Sequence, residues 1–239
     1  MTMIATYKVL SAALSYPTAE LQGAAHDLIV ALNVERLLPP AQRAAIGDLL
    51  ARIAADDLLD AQSAYVDLFD RTRALSLHLF EHVHGESRDR GQAMVSLLER
   101  YRQAGLDIGT REFPDYIPLF LEFLSTLPEA EARASLGEAA HIFVALGERL
   151  RQRGSGYAVI LEALAELAHA RPDDDVLDEL RRQQVEDPAD FGALDKAWEE
   201  AEVRFGPGDA GADSCPRADA MMRRMTSREA APLRSGSPS

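Results

Sequence analysis

The chain has little cysteine, little tryptophan and a shortage of positive charge. Cys215 is the only thiol in 239 residues. That excludes an intramolecular disulfide and a cysteine-built metal cluster within one chain, and it suits a reducing cytoplasm. Cys215 lies in a Gly-, Pro- and Asp-rich stretch, which makes it an exposed bystander rather than a reactive group. Lys and Arg number 25 against 39 Asp and Glu, a net charge of −14. The residues after Phe205 carry five Arg against four Asp or Glu, so residues 1–205 are more negative still. Such a body repels phosphate backbones and excludes nucleic acid as the main partner. It would attract basic peptides, although solubility alone also accounts for the charge. No apolar run approaches the roughly 20 residues of a membrane span, so a membrane protein is not expected. The opening MTMIATYKVLSAALSYP has one base, Lys8, in mid-segment, and reads as an amphipathic first helix rather than a signal segment.

Turn and catalytic signatures are missing as well. There is no Asn-Gly or Asp-Gly hairpin turn and no alternating strand. Nor is there a Gly-rich phosphate loop, a nucleophile elbow or iron–sulfur cysteine spacing. What is present is helical periodicity. Tyr157, Ile160, Leu161, Leu164, Leu167 and Ala168 follow the i, i+3, i+4, i+7 spacing, as do Ile142, Phe143, Leu146 and Leu150. Pro39-Pro40 opens a helix, Ser87 can cap another, and Gly105 and Gly154 close two more. The expected fold is all-α: one bundle-like domain of about nine or ten helices over residues 1–205, followed by a flexible tail over 206–239. Expected helices run over 2–15, 19–32, 40–55, 58–70, 88–104, 115–125, 129–152, 156–169, 174–184 and 189–204.

Charge concentrates between Tyr65 and Leu124 at a break between apolar helices. Dense charge bracketed by core-forming segments marks a candidate site. Within it, His78-Leu-Phe-Glu81-His82 matches the H-x-x-E-H pattern of inverted zinc proteases. On a helix His78 and His82 would share a face and could hold zinc, with Glu148 or Glu162 as further ligand. Against this, no sheet is expected on which a peptide substrate could lie, and His84, two residues from His82, would point elsewhere. The other reading is a polar junction. Arg88 and Arg90 either hold an anion beside a helix N-terminus or pair with Glu81, Glu86 or Asp89 to lock helices together. Both can hold at once. Gly91, just inside a helix, suggests a close approach by neighbouring backbone or by a partner. Pro118 fits a first helical turn, with Asp115 as its cap and Tyr116, Leu119, Phe120 and Phe123 as an apolar face.

The run Phe80-Glu-His-Val-His-Gly-Glu-Ser-Arg-Asp-Arg-Gly91 resembles the redox-enzyme maturation chaperones, specifically the nitrate reductase assembly chaperones. Tyr65-Val-Asp-Leu-Phe69 and Pro114-Asp-Tyr-Ile-Pro118 are similar to the same family, and the likeness extends more weakly from about Leu10 to Phe205. The resemblance implies a chaperone and not an enzyme, with no stoichiometric cofactor or metal of its own. It implies a partner, the apo catalytic subunit of a molybdenum-dependent respiratory nitrate reductase, held through its N-terminal peptide while the molybdopterin cofactor is inserted and membrane docking is delayed. Transient contact with that cofactor during transfer belongs to the same expectation. The peptide would bind as an amphipathic helix in a groove. Three or four apolar anchors at about 2 kcal/mol each, less the cost of association, give roughly micromolar affinity. The candidate client-binding residues are Tyr65, Phe69, Glu81, His82, His84, Glu86, Arg88, Asp89, Arg90, Asp115, Tyr116 and Pro118. A generic helical adaptor and the metallopeptidase stand as alternatives from other classes.

Overall fold

The computed structural model describes residues 4–71, 73–83, 88–109, 112–172 and 174–182, without the side chains at positions 83, 88 and 89. Among them are eleven α-helices, one 3-10 turn and no strand. The expected helix over 189–204, with Trp198, the expected cap Ser87 and the tail over 206–239 lie outside the described residues.

Local chemistry accounts for most of the helix boundaries. The helix α1 (Ala5–Leu14) stops ahead of Pro17, which drives the preceding residue out of the helical region. Its first amides, on Ala5 and Thr6, donate to the Glu35 carboxylate at 3.0 and 2.6 Å. Glu35 is the last residue of α2 (Ala19–Glu35), so the end of one helix closes the start of another. Thr18 caps α2 through the Leu21 amide at 3.2 Å, and α3 (Pro40–Ala55) starts on proline. Asp57 caps α4 (Leu58–Phe69) by accepting from the Leu59 and Asp60 amides. The 3-10 turn Arg73–Leu75 and the short α5 (Leu79–Val83) follow, and then α6 (Arg88–Gln103). Gly105 closes α6 at φ +80°, with the Leu106 amide bonded back to the Tyr101 carbonyl. Beyond it come α7 (Ile117–Thr126), α8 (Glu129–Glu138), α9 (Ala140–Gln152), α10 (Ala158–Ala168) and α11 (Asp174–Arg182). Gly154 ends α9 in the same way, at φ +67°, with Ser155 bonded back to Leu150.

The core is organised around α10. Its sequence AVILEALAELA is apolar on more than one face, and such a helix is stable only when surrounded. It packs against α9, α8, α3 and α1, and Ile160, Leu161, Ala163 and Leu164 are fully buried. Each of the larger side chains contributes roughly 1.5–3 kcal/mol through burial. A second layer is formed by α1 against α7 and α2, with α2 on α3, while α11 lies on α9. Together these layers form one hydrophobic core, and the helix break at residues 73–78 crosses its surface beside α7.

Two expectations need correction. The segment 129–152 is two helices, not one, because Ala139 leaves helical geometry (φ −106°, ψ 6°). A Cβ on Gly91 would meet nothing within 4 Å, so no neighbouring backbone demands glycine there.

Candidate functional site

The site is held by one buried carboxylate. Residues 77–79 run antiparallel to residues 115–117. The Leu79 amide donates to the Asp115 carbonyl at 3.0 Å and the Ile117 amide to the Leu77 carbonyl at 2.8 Å. This brief pairing, centred on His78 and Tyr116, brings Asp115, with no exposed surface, beneath the start of α5. Its Oδ2 accepts the Phe80 amide at 3.2 Å and its Oδ1 faces His78 Nδ1 at 3.3 Å. Arg90, on α6, lies 3.9 Å from Oδ2 and donates to Glu81 Oε1 at 3.2 Å. A fully buried carboxylate needs such partners, since desolvation without them would cost several kcal/mol.

Asp115 was expected to cap α7. It caps α5 instead, and the cap residue of α7 is Tyr116, which makes no side-chain cap. The zinc-protease reading also loses its premise. α5 starts at Leu79, which leaves His78 in the paired segment rather than on a helix with His82. His78 Nδ1 points to Asp115, whereas His82 Nε2 lies 2.8 Å from the Ser76 carbonyl. No metal-holding cluster of His, Cys, Asp or Glu occurs among the described residues.

The two imidazoles are tuned in opposite directions. The hydrogen bond to Asp115 raises the pKa of His78 above the ordinary imidazole value, against a smaller opposing effect of burial. Burial lowers that of His82, whose hydrogen bond to the Ser76 carbonyl opposes the shift. Behind His82, buried Arg149 on α9 donates to the Ala74 carbonyl at 2.7 Å and to the Leu180 carbonyl. It ties the 3-10 turn to α11, a link without any signal in the sequence, since its carbonyl partners carry no side-chain identity.

An aromatic cluster flanks the carboxylate. Tyr65 donates its hydroxyl to the Leu14 carbonyl at 2.8 Å and lies 3.1 Å from the Tyr116 hydroxyl. Its ring packs against Tyr16, Phe69 and Tyr157 at 4.9–6.1 Å. Burial drives the Tyr65 hydroxyl well above the usual phenol range, raises that of Tyr116 and takes Tyr157 up to about 12, so all three stay neutral donors at any physiological pH. Tyr16 is 44% exposed and offers one face of the cluster to solvent.

Three hollows meet here. The first, about 680 Å³, lies between α1, α2 and α7, with Ala12, Leu21, Leu28 and Leu119 as apolar lining and Glu20, Glu112 and Glu122 at its edge. A second, about 320 Å³, shares Tyr16, Glu112 and Tyr116 with the first and reaches His78. A third, about 480 Å³, shares Phe69, Asp70, Ser76 and His78 with the second and ends at Arg71, Arg73, Glu81 and Arg90. Apolar lining bordered by charge is thus continuous across the three.

The structure thus brings together Tyr65, Phe69, Glu81, Arg90, Asp115 and Tyr116. Pro118 borders the first hollow, and its carbonyl accepts from Ser11 at 2.7 Å. His82 is buried behind the hollows, in support of the 73–78 segment. His84, Glu86 and the side chains of Arg88 and Asp89 lie outside the described residues. Tyr16, Asp70 and Glu112 join the site without having been foreseen, and His78, weighed in the sequence only as a zinc ligand, joins it as well. Only the position of Tyr16 before Pro17, at a helix end, gave a hint of exposure.

A family model described as the nitrate reductase delta subunit matches residues 35–161. The chain is 45% identical over 197 residues to the nitrate reductase molybdenum cofactor assembly chaperone NarJ of Escherichia coli K12, covering 82% of this chain and 83% of that protein. It is 46% identical over 149 residues to the probable assembly chaperone NarW of the same bacterium, over 62% of this chain and 64% of that one. To the probable NarJ of Bacillus subtilis 168 it is 32% identical over 100 residues, 42% of this chain and 54% of that one.

Proposed function

The chain belongs to the nitrate reductase delta-subunit family, and from that premise we propose that it is a molybdenum-cofactor assembly chaperone for a nitrate reductase, not a catalyst. It holds the cofactor-free catalytic subunit by that subunit's N-terminal peptide, keeps it open for cofactor insertion and delays its docking to the membrane. It does this in the cytoplasm; among the described residues no helix is long and apolar enough to cross a membrane. The molybdopterin is the client's cargo, touched in passing during transfer.

The observation that carries this reading is the joined groove beside Asp115. Its apolar lining and exposed Tyr16 supply anchoring surface, and its acidic edge matches a basic amphipathic helix. Relatives named as assembly chaperones are similar over 82% and 62% of this chain. Polar support beneath the groove, from Asp115, His82 and Arg149, holds its shape before any client arrives, which lowers the ordering cost of binding.

Calorimetric titration with a synthetic peptide of the catalytic subunit's N-terminus tests the reading. One-to-one binding near micromolar affinity is expected, with a negative heat-capacity change from apolar burial. A folded protein that shows no heat of binding at several temperatures would exclude it.

A further inference from the structure

The second hollow differs from its neighbours in what walls it. Four aromatic rings, those of Tyr16, Tyr65, Phe69 and Tyr116, line its space of about 320 Å³. Tyr65 is the centre of the set. It meets Tyr16 edge-on at 5.6 Å and Phe69 at 4.9 Å, and its hydroxyl lies 3.1 Å from that of Tyr116. The His78 ring stands 5.4 Å from Tyr116 and turns its Nδ1 to buried Asp115. No Lys or Arg lines this hollow. Two exposed carboxylates, Asp70 and Glu112, border the rings, and neither is in an ion pair among the described residues.

The protons on the hydroxyls leave the hollow rich in acceptors. A phenol has one proton to donate. That of Tyr65 goes to the Leu14 carbonyl, so Tyr65 accepts from Tyr116, and the Tyr116 oxygen keeps a lone pair free. Burial raises the pKa of Tyr116, and the fields of Glu112 and Asp70 add to the rise, so both carboxylates are felt at that hydroxyl. Aromatic faces are negative as well. Ring faces, carboxylates and a phenol oxygen all attract a cation that has donors and no acceptor. Guanidinium fits best: it is planar, stacks on rings, carries five N–H donors and is more weakly hydrated than an ammonium. Resting on the chaperone reading above, we propose that the second hollow is an aromatic cage for one arginine side chain of the client's N-terminal peptide. The guanidinium enters against Tyr16 and Tyr116, with Asp70 and Glu112 as its counter-charges, while apolar side chains of the same peptide occupy the first hollow, which shares Tyr16, Glu112 and Tyr116. The apolar lining provides most of the affinity, and the cage fixes where along the peptide that lining engages.

Double-mutant cycles test the cage, with the full-length protein and a synthetic peptide of the catalytic subunit's N-terminus. Each arginine and lysine of the peptide is replaced in turn by glutamine. The protein variants are Tyr16→Leu and D70N/E112Q, all at exposed positions, with melting temperatures to show that they fold. One arginine is expected to stand out, its replacement weakening binding on the order of tenfold in calorimetry. Tyr16→Leu and D70N/E112Q should each weaken the unmodified peptide, yet change the affinity of that replaced peptide by less than about twofold. The side-chain protons of the same arginine should shift upfield on binding through ring currents, and lose that shift in Tyr16→Leu. Binding in which no arginine couples to these variants, in which only a lysine couples, or by a peptide that contains no arginine overturns the cage and leaves the chaperone reading standing. Absence of binding to the folded protein overturns both.

Discussion

Replacing Asp115 by alanine removes the group on which the 77–79 and 115–117 pairing closes. Three losses can be added at pH 6, where His78 is largely protonated because its pKa is raised. The Phe80 amide loses its cap, about 1 kcal/mol. The charge-assisted bond to His78 contributes about 1.5 kcal/mol. Arg90 loses a contact at 3.9 Å but keeps Glu81, so its share is about 0.5 kcal/mol. A total near 3 kcal/mol corresponds to a fall in melting temperature of roughly 6–12 °C for a domain of this size. The sign with pH is fixed by linkage. A histidine whose pKa is raised on folding stabilises fully below its unfolded value near 6.5, and that contribution is lost as pH rises through the folded value. The penalty for Asp115→Ala is therefore larger at pH 6 than at pH 8, where about 2 kcal/mol remains. Asp115→Asn keeps an acceptor for the Phe80 amide and should recover about 1 kcal/mol at both pH values. Thermal unfolding at the two pH values, with the His78 imidazole followed by NMR, measures all of this. A fall under about 2 °C, or an equal fall at both pH values, would refute the role given to Asp115.

His82 has the opposite sign. Its pKa is lowered by burial, so its stabilisation is complete above the unfolded value near 6.5 and is lost as pH falls through the folded value. His82→Gln should flatten the loss of melting temperature between pH 6.5 and 5, and an unchanged acid slope would show that His82 is not its source. Gly91→Ala, in a helix with nothing within 4 Å of the new Cβ, should stabilise by about 0.5–1 kcal/mol. Gly154→Ala, with equal space but φ +67°, should destabilise by about 1 kcal/mol. Chemical denaturation of the pair checks the contrast, and equal effects would contradict it.

The helices were legible because their signals are local. Pro40, Gly105 and Gly154, read in the sequence, each act within a turn of their own position, and the bounds of α2, α3, α4 and α6 agree within a few residues. α5 escaped notice because five residues hold barely more than one turn of periodicity. The break at Ala139 was hidden by apolar spacing that continues across it. Asp115 was assigned to the wrong helix because its true partner, Phe80, is 35 residues away, and no local pattern encodes that distance. For the candidate site, the density of charge pointed to the junction that the hollows border. Of the two open readings of it, the locking one is seen: Arg90 and Glu81 join α6 to α5, at the edge of a hollow. The apolar groove between α1, α2 and α7 escaped notice altogether, since it exists only once three helices distant in sequence have packed.

The most direct test of the central claim is selective capture. The purified, immobilised protein is exposed to equal amounts of the nitrate reductase catalytic subunit without its molybdenum cofactor, the same subunit fully loaded, and the cofactor-free subunit lacking its N-terminal peptide. Retention of the first, with little of the second or third, is the expected result. Equal retention of the loaded and cofactor-free forms, or undiminished capture after removal of the peptide, would contradict it.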